Sequence, residues 1–160
     1  MAFKPTTYPE EKSLMYRLLK TQLLALIDGV PHLTANLANA SALLNSALKD
    51  INWVGFYFLE GDTLILGPFQ GNPACVEIQP GKGVCGAAVA KDEIQLVKNV
   101  HEFPGHIACD CASNSEIVIP IHKSGKVIGV LDIDSPILAR FDEEDEKGLS
   151  ELVKLLEGMY

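Results

Sequence analysis

The stretch SEIVIPIHKSGKVIGVLDIDSP, residues 115–136, decides the fold. Glu116 to Ile121 and Val127 to Ile133 are β-branched and apolar, and Lys123-Ser-Gly between them carries turn residues, so the two segments read as a hairpin. Pro136 stops the second strand. Working outward, the same grammar recurs upstream: Trp53 to Leu59 is aromatic and β-branched, Glu60-Gly-Asp is a turn, and Thr63 to Phe69 returns as a strand. Cys75 to Gln79 and Ile94 to Val97 read as two shorter strands. Between those two, Val84 to Lys91 reads as a small helix that follows Pro80-Gly-Lys-Gly.

Helical patterns bracket this region. Pro9, Glu10 and Glu11 suit a first turn, after which Leu14, Leu18 and the apolar cluster at 23–27 recur at helical spacing up to Gly29. Leu33 to Leu48 follows, with positions 33, 37, 40, 44, 47 and 48 on one apolar face. Asp142 to Met159 closes the chain as an acid-started helix. Helices at both ends of a run of hairpin-connected strands define an α+β class with one mainly antiparallel sheet of about six strands. No repeat, low-complexity tract or linker interrupts the 160 residues, which are expected to form one domain over 1–160.

Composition narrows the function classes. Thirteen Lys and Arg against twenty-one Asp and Glu leave a formal net charge of −8, with no basic run to attract a phosphate backbone or an anionic bilayer. No nucleic-acid or membrane partner is expected. Leu14 to Val30, the longest apolar candidate, is broken by Arg17, Lys20, Gln22 and Asp28. Residues 1–6, Met-Ala-Phe-Lys-Pro-Thr, lack the basic start and continuous apolar core of a signal peptide, so a cytoplasmic protein is expected. Reducing compartments rarely keep structural disulfides, yet Cys75, Cys85, Cys109 and Cys111 crowd between positions 75 and 111. Such crowding points to thiol chemistry or a metal.

Four groups of side chains carry that reading. Cys85 follows Gly-Lys-Gly at the start of the small helix, where the helix dipole and Lys82 favour a thiolate; on these grounds it is the expected low-pKa thiol. Cys109 lies in the long polar loop from Lys98 to Ser113, three residues after His106, and long loops in a compact domain tend to be functional. Asp132 and Asp134 flank Ile133 on a strand, so a period of two sets both carboxylates on one face, where mutual repulsion raises one pKa. Antiparallel pairing brings Glu116 beside them; solvated turn acids are the plain alternative. Trp53 and Tyr57 share a strand face, with Gly55 leaving a gap between the rings that fits a small apolar group, or else simple core packing. A loop zinc on His101, His106, Cys109 and Cys111 is disfavoured because no Cys-x-x-Cys knuckle is present. Cys109 and Cys111 are too close in sequence to bridge comfortably.

Taken together, INWVGFYF, GPFQGNPAC, GKGVCGAA, FPGHIACD, SEIVIPI and GVLDIDSP, in that order from about Ile51 to Phe141, resemble the free methionine (R)-sulfoxide reductases, small stand-alone GAF domains. The resemblance implies that Cys109 is the attacking residue and Cys75 its usual disulfide partner, with Cys85 a second candidate for either role. It implies an acidic site at Glu116, Asp132 and Asp134 and an aromatic wall at Trp53 and Tyr57. It also implies reduction of free L-methionine (R)-sulfoxide without a metal or organic cofactor, regeneration by a thioredoxin-like dithiol, and a homodimer. Cys111 departs from the pattern. A ligand-sensing GAF module explains the fold equally well and the cysteines poorly; a metal-dependent redox sensor is the third reading.

Overall fold

The computed structural model describes Lys4 and residues 6–107 and 109–160. Met1, Ala2, Phe3 and Pro5 of the N-terminal reading, and Ala108 of the HIACD motif, lie outside the described residues. The elements run α1 (Lys12–Ile27), α2 (Leu33–Ala47), β1 (Trp53–Glu60), β2 (Thr63–Gly71), β3 (Glu77–Ile78), α3 (Gly83–Lys91), β4 (Gln95–Val97), a 3-10 turn (Val100–Glu102), β5 (Ser115–Lys123), β6 (Lys126–Ser135) and α4 (Glu143–Glu157). The six strands form one sheet in the order β3-β2-β1-β6-β5-β4, and every neighbouring pair is antiparallel. Among the described residues no helix is long and apolar enough to cross a membrane.

Strand alternation gives the sheet two apolar faces. Val54, Phe56, Ile117, Ile119, Ile121, Leu131 and Ile133 point to one side and pack with α1, α2 and α4 in the larger core. Trp53, Tyr57, Val118 and Val130 point to the other, where α3 covers them through Val84, Cys85 and Ala88. The β5–β6 turn is the two-residue Ser124-Gly125, both at positive φ (51° and 74°), the backbone that fits the twist of a tight hairpin.

α4 starts on a reciprocal cap: the Asp142 carboxylate accepts from the Glu144 and Asp145 N–H groups, and Asp145 accepts from the Asp142 N–H at 3.0 Å. The fully buried Asp145 also receives Lys12 Nζ at 2.6 Å, Tyr16 Oη at 2.8 Å and Arg140 Nη1 at 3.3 Å. A buried carboxylate is tolerated only with such partners. This hub locks α1 against α4.

Four expectations shift. The face of α1 is Met15, Tyr16, Leu19 and Leu23, while Leu14 is 42% exposed. The leucine-rich sequence permits several phases, and the tie from Tyr16 to Asp145 selects this one. Pro9, Glu10 and Glu11 precede the helix, which begins at Lys12 without a side-chain cap. The third strand shrinks to Glu77–Ile78, leaving Cys75 in irregular backbone. In α2, Leu33 stands at the exposed end of the face, whereas Leu37, Ala40, Leu44 and Ala47 are buried as the spacing requires.

A Cβ added at Gly148 of α4 would lie 2.6 Å from Cδ1 of the Tyr16 ring and nearer to other ring atoms. Alanine gains about 1 kcal/mol over glycine in helix propensity, but overpacking costs about 1–3 kcal/mol. The ring cannot retreat because its hydroxyl is held by Asp145. Gly148→Ala is therefore expected to lower stability in urea melts by about 1–2 kcal/mol; a more stable variant would refute this packing argument.

Candidate active site

The α3 side of the sheet carries a cavity whose walls come from four separate segments. Trp53 and Tyr57 enter from β1, Cys85 from the start of α3, Cys109 from the loop before β5, and Glu116, Asp132 and Asp134 from the central hairpin. Register explains the convergence. Glu116 pairs with Asp134 across β5–β6, while β1 sets Trp53 opposite Asp134 and Gly55 opposite Asp132. All three carboxylates thus share the α3 face, as a period of two demands.

Cys75 and Cys109 form a disulfide with a Cα–Cα distance of 5.5 Å. Cys75 stands just outside the cavity lining; Tyr57 Oη donates to its carbonyl at 2.9 Å. Cys85 is buried and free, and Cys111 is exposed and free. The set weighed for a loop zinc is not assembled, since the Cys109 sulfur is bonded to Cys75 and Cys111 faces solvent.

The charges in this pocket oppose one another. Glu116 and Asp132 are buried and Asp134 is half-buried. Burial, followed by the charges of Asp132 and Asp134, holds Glu116 well above the usual carboxyl range. Burial raises Asp132 to about 6 against the hydrogen bonds from Glu116 and Cys85 that favour its anion. Asp134 is pushed up by burial and then by Asp132. Burial also lifts Tyr57, whose hydroxyl stays neutral.

Cys85 corrects the expectation of an activated thiol. Burial, then Asp132 and Glu116, push it well above the ordinary thiol value. Its Sγ lies 4.0 Å from Glu116 Oε1. A helix N-terminus favours an anion by about 0.3–1 kcal/mol, and Lys82 is exposed; neither offsets desolvation beside two carboxyls. The strand faces that bring those carboxyls together also silence the thiol.

The aromatic wall lines the cavity, and around Gly55 the core-packing alternative holds. A Cβ at Gly55 would meet Trp53 Cη2 at 2.7 Å and the Phe69 side chain closer still. The glycine gap is filled by the tryptophan itself, stacked between Tyr57 and Phe69 at centroid distances of 5.9 and 5.2 Å. Trp53 presents a fixed surface to the cavity, and Gly55 permits it to lie flat.

Residues without a periodic signature hold the loop. The Asp110 carboxylate accepts from Ala112 N at 2.9 Å, Asn52 Nδ2 at 3.1 Å and Asn72 Nδ2 at 3.4 Å. These bonds, the Ala112 N–H foremost, hold its pKa below the usual carboxylate range. The Asn72 carbonyl in turn accepts from Trp53 Nε1 at 3.2 Å. One network therefore joins the residue after Cys109 to the aromatic wall. His106 also lines the cavity; burial and then His101 keep its pKa low.

Known proteins resemble this chain in sequence and fold. The GAF domain family model matches residues 21–158. The free methionine-R-sulfoxide reductase of Escherichia coli K12 is 56% identical over 146 residues, covering 91% of this chain and 88% of that protein. The fRMsr of Staphylococcus aureus in complex with substrate superposes with a TM-score of 0.87 at 55% identity, over 96% of this chain and 98% of the other. The free methionine-R-sulfoxide reductase from Neisseria meningitidis in complex with its substrate gives a TM-score of 0.93 at 43% identity, over 99% and 95%.

The raised carboxyls make a stability prediction with a definite sign. Asp132 binds its proton more tightly folded than unfolded, so its contribution is full below pH ~4 and is lost as pH rises through about 6. Asp132→Asn is expected to be more stable than the wild type at neutral pH by on the order of 1–3 kcal/mol, with the gain vanishing in acid. Urea denaturation across this pH range reads it; a pH-independent difference would contradict the assignment.

Proposed function

The chain belongs to the free methionine-R-sulfoxide reductase family of GAF domains, and from that premise we propose that it reduces free L-methionine (R)-sulfoxide to methionine. The observation that carries the reading is a disulfide between Cys75 and Cys109 at a cavity floored by the three crowded carboxyls of Glu116, Asp132 and Asp134. Residues 1–160 act as one GAF domain in this reading.

In the proposed mechanism the Cys109 thiolate attacks the sulfoxide sulfur. Such attack is slow until the sulfoxide oxygen is protonated, and Glu116, the carboxyl that keeps its proton beside Asp132, suits the role of acid. The oxygen passes from the substrate sulfur to Cys109 as the S–O bond and the transient sulfur–sulfur bond break, so methionine leaves and Cys109 becomes a sulfenic acid. The Cys75 thiol condenses with it, releasing water and forming the disulfide. A thioredoxin-like dithiol then reduces that bond by exchange and is itself oxidised. Asp132 and Asp134 hold the substrate ammonium, Trp53 and Tyr57 enclose its methyl group, and backbone N–H groups receive its carboxylate. Cys85, buried and neutral, is a wall of the pocket rather than a second nucleophile.

A cytoplasmic setting and a homodimer complete the reading. α1 and α2 expose Leu24 at 43% and Leu33 at 37%, apolar surface consistent with a partner subunit.

Turnover on free and peptide-bound sulfoxides of both configurations tests the substrate. Only free (R)-sulfoxide should be consumed, since a peptide amide supplies no ammonium for the carboxylates; equal rates on a peptide would refute the reading. Glu116→Gln should lower kcat/KM by about 10²–10⁴ with the fold intact by circular dichroism. Normal turnover in this variant would remove Glu116 from the mechanism.

Single-turnover assays divide the thiols. Cys109→Ser should release no methionine. Cys75→Ser should release one equivalent and then stop, and Cys111→Ser should keep most multiple-turnover activity because its thiol is exposed and unbonded. Methionine release by Cys109→Ser would show that another thiol attacks.

A further inference from the structure

Cys85, Glu116 and Asp132 do more than surround a substrate. One sulfur and two carboxylate oxygens, one from each residue, lie within 4.8 Å of one another, and all three side chains are buried. The set mixes a soft ligand with two hard ones. A second observation points to a missing cation: Asp132 lines the cavity, is 6% exposed, and leaves Oδ1 buried without a hydrogen-bond partner among the described residues. An unpaired carboxylate oxygen costs free energy that a positive charge would recover.

We propose that Cys85, Glu116 and Asp132 bind a thiophilic divalent cation of the zinc class, which competes with the substrate for the acidic floor of the pocket. The competition rests on the substrate reading above; the binding does not. A zinc ion takes sulfur at ~2.3 Å and carboxylate oxygen at ~2.0–2.2 Å, so tetrahedral ligands stand roughly 3.3–3.6 Å apart. Cys85 Sγ and Glu116 Oε1, at 4.0 Å, need only close slightly. Water fills the fourth position. With the Cys75–Cys109 bond formed, the cavity of about 40 Å³ has space for an ion and a water.

The protons balance. Coordination takes Cys85 from thiol to thiolate and releases its proton to the buffer; Glu116 loses its proton likewise. The high proton affinity of both groups weakens binding as pH falls, and a dication beside three buried anions still relieves most of their repulsion. Nearby charges fit: Asp134 from β6 adds attraction, and Lys82, the cation of the lining, is exposed. The ion would act as a reversible inhibitor.

Cobalt(II) is the probe, added to the oxidised Cys111→Ser protein so that Cys85 is the one free thiol. One equivalent should produce a thiolate-to-cobalt charge-transfer band together with tetrahedral visible bands, and zinc should displace it. Cys85→Ser should lose the charge-transfer band. Asp132→Asn, expected to be the more stable protein, should bind at least ~10-fold more weakly. No thiolate band in the oxidised protein, or an unchanged band in Cys85→Ser, would overturn the site. In the reduced enzyme zinc should raise the apparent KM for free methionine (R)-sulfoxide and leave kcat unaltered. A fall in kcat alone, with the cobalt band present, would overturn the overlap with the substrate while leaving the metal site standing.

Discussion

Burying two carboxyls and crowding a third beside them on one strand face is the constraint on which the rest of the structure depends. Two Asp at a spacing of two and a Glu paired across the hairpin are forced together by the antiparallel register. Water cannot separate them, so protons must. Glu116 keeps its proton and Asp132 titrates near 6. The site is thereby supplied with an acid and an anion in contact at neutral pH, which no single carboxyl in water can provide. The cost is carried by the opposite face, where Ile117, Ile119, Ile121, Leu131 and Ile133 of the same two strands pack into the helical core. Neighbouring residues on one strand therefore do opposite things: Ile133 anchors the sheet while Asp132 and Asp134 strain it electrostatically.

The same geometry disposes of the cysteines. A thiol becomes nucleophilic where something favours its anion. Cys85 sits against Glu116 and Asp132, which oppose its ionisation; Cys75 and Cys109 stand on irregular backbone, half-exposed, tied to the aromatic wall by Tyr57 and the Asp110 network. Acid and sulfur are thus supplied by separate parts of the chain, a rigid hairpin and a pinned loop. Asp110 matters for this division. Its low-pKa carboxylate gathers Ala112, Asn52 and Asn72, fixing the residue next to Cys109 at the edge of the cavity.

Much of this was legible in the sequence, for identifiable reasons. Strand alternation is local and strict, so the hairpin at 115–136 and the common face of Glu116, Asp132 and Asp134 followed from spacing. Helix phase was less legible: α1 is leucine-rich all round, and the polar contact between Tyr16 and Asp145, 129 positions apart, decides which leucines are buried. Cys85 was misjudged because a helix N-terminus can be read locally, whereas the carboxyls that cancel it arrive from residues 116 and 132. Asn52 and Asn72 carried no signal, since single amides beside strands follow no pattern and find their partner only in space.

In the proposed cycle, access to an outside reductant supplies the final distinction among the thiols. Exchange requires a thiolate from another molecule to reach one sulfur of the disulfide along its bond axis. Cys85 is 4% exposed and enclosed by the sheet and α3, so no second protein can approach it. The Cys75–Cys109 bond lies where β2 has ended and β5 has not begun, on segments without strand neighbours to shield them. Irregular backbone at these two positions thus suits the proposed chemistry: a regular strand would have buried the sulfur that the cycle needs reached, and a free loop without Asp110 would not hold it beside the acid.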